Sequence, residues 1–290
     1  MNENPANDHP RRLFDRFGLA VNKRYGQNFI VSGELLDKIV KTSGVGPEDR
    51  VLEIGTGFGR LTERLAEKTE RVITVEIDRG LYKAASQRLA DRDSVVMLHE
   101  DFLESKHRIN TAVTEKASVL AKGGAWTVVS NLPYQISSPA IIDLLDWEVE
   151  IDGLYVTLQS EVVDRLTAEP GTKKYGPLTI IVAVAARAER LFSVPPDAFW
   201  PAPKVSSDFV ALHPLAAEQI PIDIAELSRV VQNIMQSRRK TLRRALKIGW
   251  DRAAAQNVLE TLKIDPSVRP GKLSPEQYVD IARVLGKGTS

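Results

Sequence analysis

The residues best suited to chemistry lie in the stretch Asn131 to Tyr134, which directly follows an apolar run ending at Ser130. If that run is a buried parallel strand, its carboxyl end is where an open α/β sheet places ligands. The Asn131 amide oxygen and the Pro133 carbonyl can accept hydrogen bonds from the amino group of a flat base. The Tyr134 ring offers a face on which that base can stack. The stretch is also typical of an ordinary turn, so other motifs must decide.

A glycine-rich motif lies upstream. Gly55, Gly57 and Gly59 follow the apolar run Val51–Ile54, and leucines then continue at helical spacing. This order predicts a strand, a tight turn and a helix. Glu76 ends the next predicted strand, about twenty positions after the first glycine, where nucleoside sites place a carboxylate for the ribose diol.

Two further segments carry ligand-type residues. Asp101 stands just beyond a third predicted strand, residues 95–98, and can accept from an adenine amine; it is also a candidate helix cap. Gln27 and Asn28 precede an apolar anchor that includes Ile30, which suits a lid over a polar ligand, or alternatively the approach to a helix N-terminus. Gly55, Glu76, Asp101 and Asn131 therefore each lie at or just after the end of a predicted strand. Together they predict one shared site.

A NAD-type dehydrogenase is the main alternative for the glycine motif. A dinucleotide-binding turn has the pattern G-x-G-x-x-G, whereas this chain has G-x-G-x-G followed by Arg60. The observed spacing favours a nucleoside ligand without a pyrophosphate, such as S-adenosylmethionine (SAM).

Composition limits the classes of protein to consider. The 290 residues include 39 Lys and Arg against 38 Asp and Glu, so a nucleic-acid surface must be a local patch. The absence of cysteine excludes disulfides, thiolate zinc sites and a cysteine nucleophile, and the four histidines show no metal-ligand spacing. The first residues lack the apolar core of a signal peptide and no run reaches the length of a membrane span, so a cytoplasmic protein is expected.

Composition and residue patterns divide the chain into three predicted parts: a loosely ordered basic leader at 1–22, an α/β domain at 23–213 and a helical domain at 214–290. Residues 153–159 are a predicted strand, residues 161–168 a helix, and residues 178–186 either a strand or a helix. Residues 190–194 and 208–212 are a predicted antiparallel pair around a proline-rich loop. That loop contains Phe199 and Lys204, which offer a second aromatic ring and a cation, or a merely rigid connection.

The densest basic cluster lies in the helical part and contains Arg238, Arg239, Lys240 and Arg243, with Arg244 and Lys247 beyond. Residues 240, 243, 244 and 247 would share one face of a helix and could follow a phosphate backbone. Such runs are often only solvated faces, but acidic residues are absent from 238–247, which favours RNA contact.

Short segments in a fixed order carry a resemblance to a known family. They are GQNF at 26–29, VLEIG at 51–55, NLPY at 131–134, QSEVVDRL at 159–166, KYGPL at 174–178, PKV at 203–205 and RRKTL at 238–242. These segments resemble the ribosomal RNA adenine dimethyltransferases of the small subunit, from about residue 23 to residue 285. Thr56 departs from the family's usual Pro, Ala202 interrupts its proline triplet, and Arg244 stands where Asn is common.

The resemblance implies a Rossmann-like class I SAM-dependent methyltransferase fold, with a mostly parallel seven-stranded sheet and a small C-terminal helical domain. It implies SAM contacts at Asn28, Ile30, Gly55, Glu76, Asp101 and Asn131, and an adenine site at 131–134. The implied reaction places two methyl groups on each of two adjacent adenosines of small-subunit rRNA, during assembly of that subunit. Nothing in the sequence demands a dimer, so a monomer is expected. Alternatives are a resistance-type large-subunit rRNA methyltransferase, whose loop more often has Phe at the position of Tyr134, a DNA adenine methyltransferase, and an assembly factor with secondary catalysis.

Overall fold

The computed structural model describes residues 8–105 and 108–286. These residues form two compact units. The first contains the chain up to Ser160 together with Glu189–His213, and the second contains Glu161–Ala188 and the chain from Pro214 onward. The predicted boundary at 213 assigns 161–188 to the α/β domain, whereas these residues pack within the second unit.

The secondary structure alternates between strands and helices in the first part of the chain. In the described residues the strands are β1 (Phe29–Ile30), β2 (Val51–Ile54), β3 (Val72–Val75), β4 (Val95–Leu98), β5 (Leu103–Ser105), β6 (Arg108–Ile109), β7 (Trp126–Ser130), β8 (Ile151–Gln159), β9 (Ala186–Val194), β10 (Phe199–Trp200) and β11 (Ser207–Pro214). The α-helices are α1 (Pro10–Phe17), α2 (Gly33–Ser43), α3 (Arg60–Ala66), α4 (Arg79–Arg88), α5 (Thr111–Ala121), α6 (Ser137–Leu145), α7 (Ser160–Leu166), α8 (Pro177–Ala185), α9 (Ile224–Gln236), α10 (Leu242–Gly249), α11 (Arg252–Leu262) and α12 (Pro275–Gly286).

Within the described chain, seven strands form one sheet in the order β4-β3-β2-β7-β8-β11-β9. The pairs β2–β3, β3–β4, β2–β7 and β7–β8 are parallel, and β11 runs antiparallel to β8. The central strands β2, β3 and β7 are buried at every position, as expected for parallel strands covered on both faces. The predicted mostly parallel α/β sheet is confirmed.

The glycine turn and the helix caps position the first unit's helices. Ser32 caps α2, because its Oγ accepts a hydrogen bond from the Leu35 amide at 3.2 Å. Gly59, with φ of 75°, directly precedes α3, a conformation that residues with a side chain rarely adopt. The chain thus leaves β2 in a tight turn and enters a helix, as predicted.

The N-terminal prediction requires a correction. Residues 1–7 lie outside the described part, but residues 10–17 form α1, and its Leu13 and Phe14 are buried against Phe58 and Leu81. Phe14 contacts the Phe58 ring edge-on, with centroids 4.9 Å apart. The segment forms a packed helix because its apolar residues share one helical face, which is buried in this cluster.

The second unit is helical. The ambiguous stretch near 178–186 is helix α8, which is buried along most of its length because it packs against α9 and α12. The hydroxyls of Tyr175 and Tyr278 donate to the carbonyls of Leu273 and Pro270 at 2.7 and 3.0 Å. The four predicted C-terminal helices are present as α9 to α12. In the described residues, no helix combines the length and the apolar character needed to cross a membrane.

Candidate functional site

A cavity of about 310 Å³ opens at the carboxyl ends of the parallel strands of the first unit. This volume lies at the lower end of the usual range for small-ligand sites. The predicted residues that line it are Gln27, Asn28, Ile30, Gly55, Glu76, Asp101, Asn131, Pro133 and Tyr134. The structure therefore brings together in one cavity the four residues at strand ends, Gly55, Glu76, Asp101 and Asn131, which are far apart along the chain.

The glycine turn passes close to two neighbouring segments. A Cβ at Gly55 would lie 3.1 Å from the Pro133 ring, and one at Gly57 would lie 3.2 Å from the Phe29 ring. Both glycines also have positive φ, at 86° and 58°. The backbone can approach the acceptor loop and the β1 segment only because side chains are missing there.

Glu76 directly follows β3 and is almost fully buried. Its two carboxylate oxygens accept from the Gly57 and Asp78 amides, both at 2.8 Å. Burial raises the pKa of Glu76 to about 7, against the effect of these amides. Each oxygen keeps a further lone pair, so the carboxylate can accept two hydroxyls of a ribose.

Sequence reasoning missed a second acidic residue, Glu53 on β2. It is fully buried and accepts from the hydroxyls of Thr62 and Thr74, the latter at 2.7 Å. Burial raises its pKa to about 8. The Thr56 hydroxyl contacts that of Thr74 at 2.6 Å, so the residue that departs from the family's Pro joins this network. An acidic residue inside an apolar strand was the signal that could have revealed it.

Arg60 also has a structural role at the site that the sequence did not indicate. Its guanidinium donates to the carbonyls of Ile30 and Val31, the latter at 3.0 Å, and so holds the predicted lid segment. Asp8 forms ion pairs with Arg60, at 2.7 Å, and with Arg88. Burial alone would raise the pKa of Asp8, but the two guanidinium groups lower it below its ordinary value.

The amide side chains of the lid segment are already engaged. The Gln27 Nε2 donates to Asp78 at 3.3 Å and its Oε1 accepts from the Asn22 amide at 2.8 Å. The Asn28 Nδ2 donates to the Gly26 carbonyl at 2.9 Å. These bonds fix the position of the segment. A ligand would therefore have to use the hydrogen-bonding positions of Gln27 and Asn28 that these bonds leave free.

Asn131 has one end paired and one end unused. Its Nδ2 donates to the Asn28 carbonyl at 2.8 Å, which sets the orientation of the amide. Its Oδ1 is buried and has no hydrogen-bond partner among the described residues. A buried unpaired acceptor is costly, so this oxygen is suited to a ligand that brings a hydrogen-bond donor.

The rest of the acceptor loop is anchored at several points. The Pro133 carbonyl accepts from the Ile136 amide at 3.2 Å and keeps a second lone pair. The Tyr134 hydroxyl contacts that of Ser207 at 2.6 Å, and burial raises the pKa of the phenol above its ordinary value. Loop and sheet thus hold the ring at both ends.

From the sequence, Phe199 offers a second aromatic ring for the site, but in the structure its ring is not parallel to that of Tyr134. Its ring is 3% exposed and belongs to the core around Ile30, outside the cavity lining. It meets Tyr134 edge-on, with centroids 6.5 Å apart and an interplanar angle of 71°. Because two faces that sandwich a base must be nearly parallel, Phe199 supports the Tyr134 ring instead.

Asp101 lies in the cavity lining but does not cap a helix. It is exposed, its Oδ1 accepts from the Leu103 amide at 3.1 Å, and strand β5 follows. Phe102 beside it is buried and also lines the cavity. Lys204 is exposed and lies outside this lining.

The residues of the basic cluster in the second unit differ in their surroundings. The Arg238 guanidinium donates to the carbonyls of Thr172 and Lys173 at 3.3 and 3.4 Å, so it is a structural residue there. Arg239, Lys240 and Arg243 are exposed. Because α10 begins at Leu242, Lys240 precedes the helix and does not share its face as predicted. In the described parts of the chain, no group of three or more metal-ligating side chains could hold a metal ion.

Solved structures with similar folds support this architecture. A dimethyladenosine transferase from Plasmodium falciparum superposes with a TM-score of 0.71 at 22% identity, over 90% of this chain and 98% of that one. The 23S rRNA methyltransferase ErmE superposes with a TM-score of 0.58 at 21% identity, over 89% and 99%. At these identities the similarity shows the fold, which is that of the class I SAM-dependent methyltransferases.

Sequence comparisons identify the family. Proteins named ribosomal RNA small subunit methyltransferase A are similar over nearly their whole length. The one from Caldanaerobacter subterraneus subsp. tengcongensis is 39% identical, over 92% of this chain and 98% of the relative. The one from Aromatoleum aromaticum is 38% identical, over 91% and 94%. The family model described as ribosomal RNA adenine dimethylase matches residues 18–287, and the chain therefore belongs to the ribosomal RNA adenine dimethylase family.

Proposed function

We propose that this enzyme transfers two methyl groups from SAM to the exocyclic amine of each of two adjacent adenosines in small-subunit rRNA. The observation that carries the proposal is the buried, unpaired Oδ1 of Asn131 in the lining of a nucleoside-sized cavity. The family supplies the reaction, and the names of the relatives point to the small-subunit substrate.

The residues present fit SAM as the methyl donor. Glu76 has two oxygens with capacity for the ribose hydroxyls, and the glycine turn that contains Gly55 and Gly57 lines the same cavity. Asp101 would accept from the amine of the SAM adenine, with the neighbouring Phe102 against its ring. Asn28 and Ile30 would close the lid segment over the nucleoside. When bound, SAM supplies an electrophilic methyl group on a sulfonium.

The acceptor loop prepares the target amine for attack. The lone pair of an adenine amine is delocalised into the ring, which makes the nitrogen a poor nucleophile. Hydrogen bonds from its N–H groups to Asn131 Oδ1 and the Pro133 carbonyl favour a more tetrahedral nitrogen with a localised lone pair. That pair forms the new N–C bond, the C–S bond breaks with its electrons remaining on sulfur, and the extra proton leaves the nitrogen for solvent. Alignment of the two reactants supplies much of the remaining rate enhancement.

The base must leave the RNA stack before it can reach this loop. Tyr134 offers one face for the extruded adenine, and unstacking costs a few kcal/mol that the pocket contacts offset. Because Phe199 meets Tyr134 edge-on, stacking on a single face is the geometry that fits these residues.

The second unit would hold the rRNA. Arg239, Lys240 and Arg243 are exposed cations that can contact phosphates without reading sequence. We propose that the substrate is a small-subunit assembly particle, that the enzyme acts on it as a monomer, and that it does so in the cytoplasm.

Transfer of labelled methyl groups tests the proposed function. Small ribosomal subunits that lack adenine dimethylation would be compared with large subunits and duplex DNA, and the modified nucleosides would be resolved. We expect dimethyladenosine in the small-subunit sample alone. Label in the large subunit would support the resistance-type alternative, and label in the duplex would support a DNA methyltransferase. SAM binding without transfer to any sample would support a binding role in assembly.

A matched pair of arginine variants tests the RNA contacts. Arg239→Met removes an exposed cation, so we expect weaker binding to small subunits and an unchanged melting temperature. The slope of log K for binding against log salt concentration should fall in magnitude by about 1, because about one counterion fewer is released. Arg238→Met removes bonds to two backbone carbonyls, so we expect a lower melting temperature instead. Equal effects of the two changes on subunit binding, with neither changing stability, would contradict this division.

A further inference from the structure

The Tyr134 ring is tied to the sheet through Ser207. The two hydroxyl oxygens are 2.6 Å apart, and Ser207 has no solvent exposure. Ser207 is the first residue of β11 and pairs with Gln159 of β8, while the Ser160 amide donates to the Ser206 carbonyl at 3.0 Å. The serine hydroxyl is therefore carried by regular sheet backbone, which gives the phenol a fixed partner.

The other end of Tyr134 is fixed as well. The Ser137 hydroxyl donates to the Tyr134 carbonyl at 3.1 Å, and the edge of the Phe199 ring supports the aromatic ring. Loss of the phenol bond would leave the backbone anchored but would free the outer end of the ring to shift. The Ser207 bond therefore fixes the position of the ring on which a base stacks.

The two methyl transfers do not use the acceptor loop equally. An unmodified adenine amine has two N–H groups, which match the two available acceptors, Asn131 Oδ1 and the Pro133 carbonyl. After the first transfer and loss of a proton, the amine has one N–H and carries a methyl group. One hydrogen bond to the loop is then lost, and the stacking surface must supply a larger share of the orientation of the base.

We propose that Ser207 is a positioning residue that acts through Tyr134, and that the second methyl transfer depends on it more strongly than the first. The inference rests on the proposed dimethylation of adenosine and adds a determinant of how far that reaction proceeds. Its chemistry is the same in both steps: the amine forms an N–C bond, the C–S bond of SAM breaks toward sulfur, and one proton leaves the amine.

The test is a double-mutant cycle with Ser207→Ala, Tyr134→Phe and the double variant. Small subunits that lack the modification would be methylated in a quenched time course, with monomethyl and dimethyladenosine resolved. We expect the first transfer to slow by no more than about threefold and the second by about tenfold, the order of one hydrogen bond, so that monomethyladenosine accumulates. Because both single changes delete the same bond, the double variant should lose little more than either one.

A matched control removes a different buried hydroxyl. Thr157 on β8 is fully buried, and its Oγ1 has no hydrogen-bond partner among the described residues. Thr157→Val should therefore leave the ratio of monomethyl to dimethyl product unchanged. This control separates the proposed role of Ser207 from a general effect of changing buried polar groups in this part of the sheet.

The outcomes separate the inference from the function on which it rests. If wild-type protein makes no methyladenosine, the proposed function fails. If it makes dimethyladenosine but the Ser207 and Tyr134 variants slow both transfers by the same factor, or neither, the inference fails. Additive losses in the double variant would also contradict it, because the two residues would then act separately.

Discussion

Two sides of the same cavity use their hydrogen-bonding groups differently. The glycine-turn side, residues 53–60 with Glu76, has its acidic groups engaged: Glu53 accepts from two threonine hydroxyls and Glu76 from two backbone amides. The acceptor loop, residues 131–134, keeps the Asn131 Oδ1 unpaired and a second lone pair on the Pro133 carbonyl.

This contrast separates binding from chemistry. Groups on the glycine-turn side are held by the protein itself, so that side is assembled before a nucleoside arrives. The acceptor loop has one unused acceptor in a buried position, the Asn131 Oδ1, and this oxygen gains most when a donor is brought to it. Methyl transfer between two nucleosides requires both features: a preassembled glycine-turn side that binds the methyl donor, and an acceptor loop with a hydrogen-bond acceptor free for the target amine.

The largest effect is expected from Asn131→Ala, which removes the unpaired acceptor. We expect the rate of methyl transfer to fall by about 10²–10³-fold, the range seen when one preorganised hydrogen-bonding group is lost from an active site. Binding of SAM, measured by calorimetry, should change by a much smaller factor, because the glycine-turn side is untouched. A variant with the wild-type rate would show that the acceptor loop does not act on the amine.

The next effect concerns Glu76 and pH. Because burial raises the pKa of Glu76 to about 7, the ligand-free protein takes up a proton there as the pH falls below that value. SAM hydroxyls prefer the ionised carboxylate, so the Kd for SAM should rise by up to about tenfold for each pH unit below about 7. Glu76→Gln should bind SAM more weakly above that pH and lose this contribution to the pH dependence. An unchanged Kd and pH profile in calorimetry would overturn the ribose assignment.

The smallest effect on catalysis, but a clear one on stability, is expected from Glu53→Gln. The pKa of Glu53 is about 8 in the folded chain, raised by burial from 4.5. Between these values the native state holds a proton that the unfolded state lacks, so this contribution to stability is full below about 4.5 and is lost as the pH rises through about 8. Gln keeps an acceptor oxygen for Thr62 and Thr74 and cannot ionise.

Chemical denaturation across that pH range measures the difference. The free energy of unfolding of the wild type should fall more steeply with rising pH than that of Glu53→Gln, while the Kd for SAM should remain similar in the two proteins. Parallel stability profiles would mean that Glu53 ionises in the folded chain as it does in water. A large change in SAM affinity would place Glu53 in direct contact with the cofactor and remove the contrast between the two sides.

The sequence alone determined the elements that carry the site. Mostly apolar runs at 51–54, 71–76 and 125–130 predict buried strands, which the structure has at 51–54, 72–75 and 126–130, and polar residues at or after their ends predict a common edge. The glycine spacing separated a nucleoside turn from a dinucleotide turn. These inferences hold because side-chain periodicity and backbone freedom are local properties that the order of residues encodes directly.

Only the tertiary structure decided which polar groups are paired. The Asn131 amide meets a carbonyl 103 positions away, and Tyr134 meets Ser207 across 73 positions. Arg238 looked like its neighbours in a basic run but is bound to backbone carbonyls, and α1 is ordered by contacts with Phe58 and Leu81. Pairing depends on distances between segments that are remote in sequence, and no local pattern reports those distances.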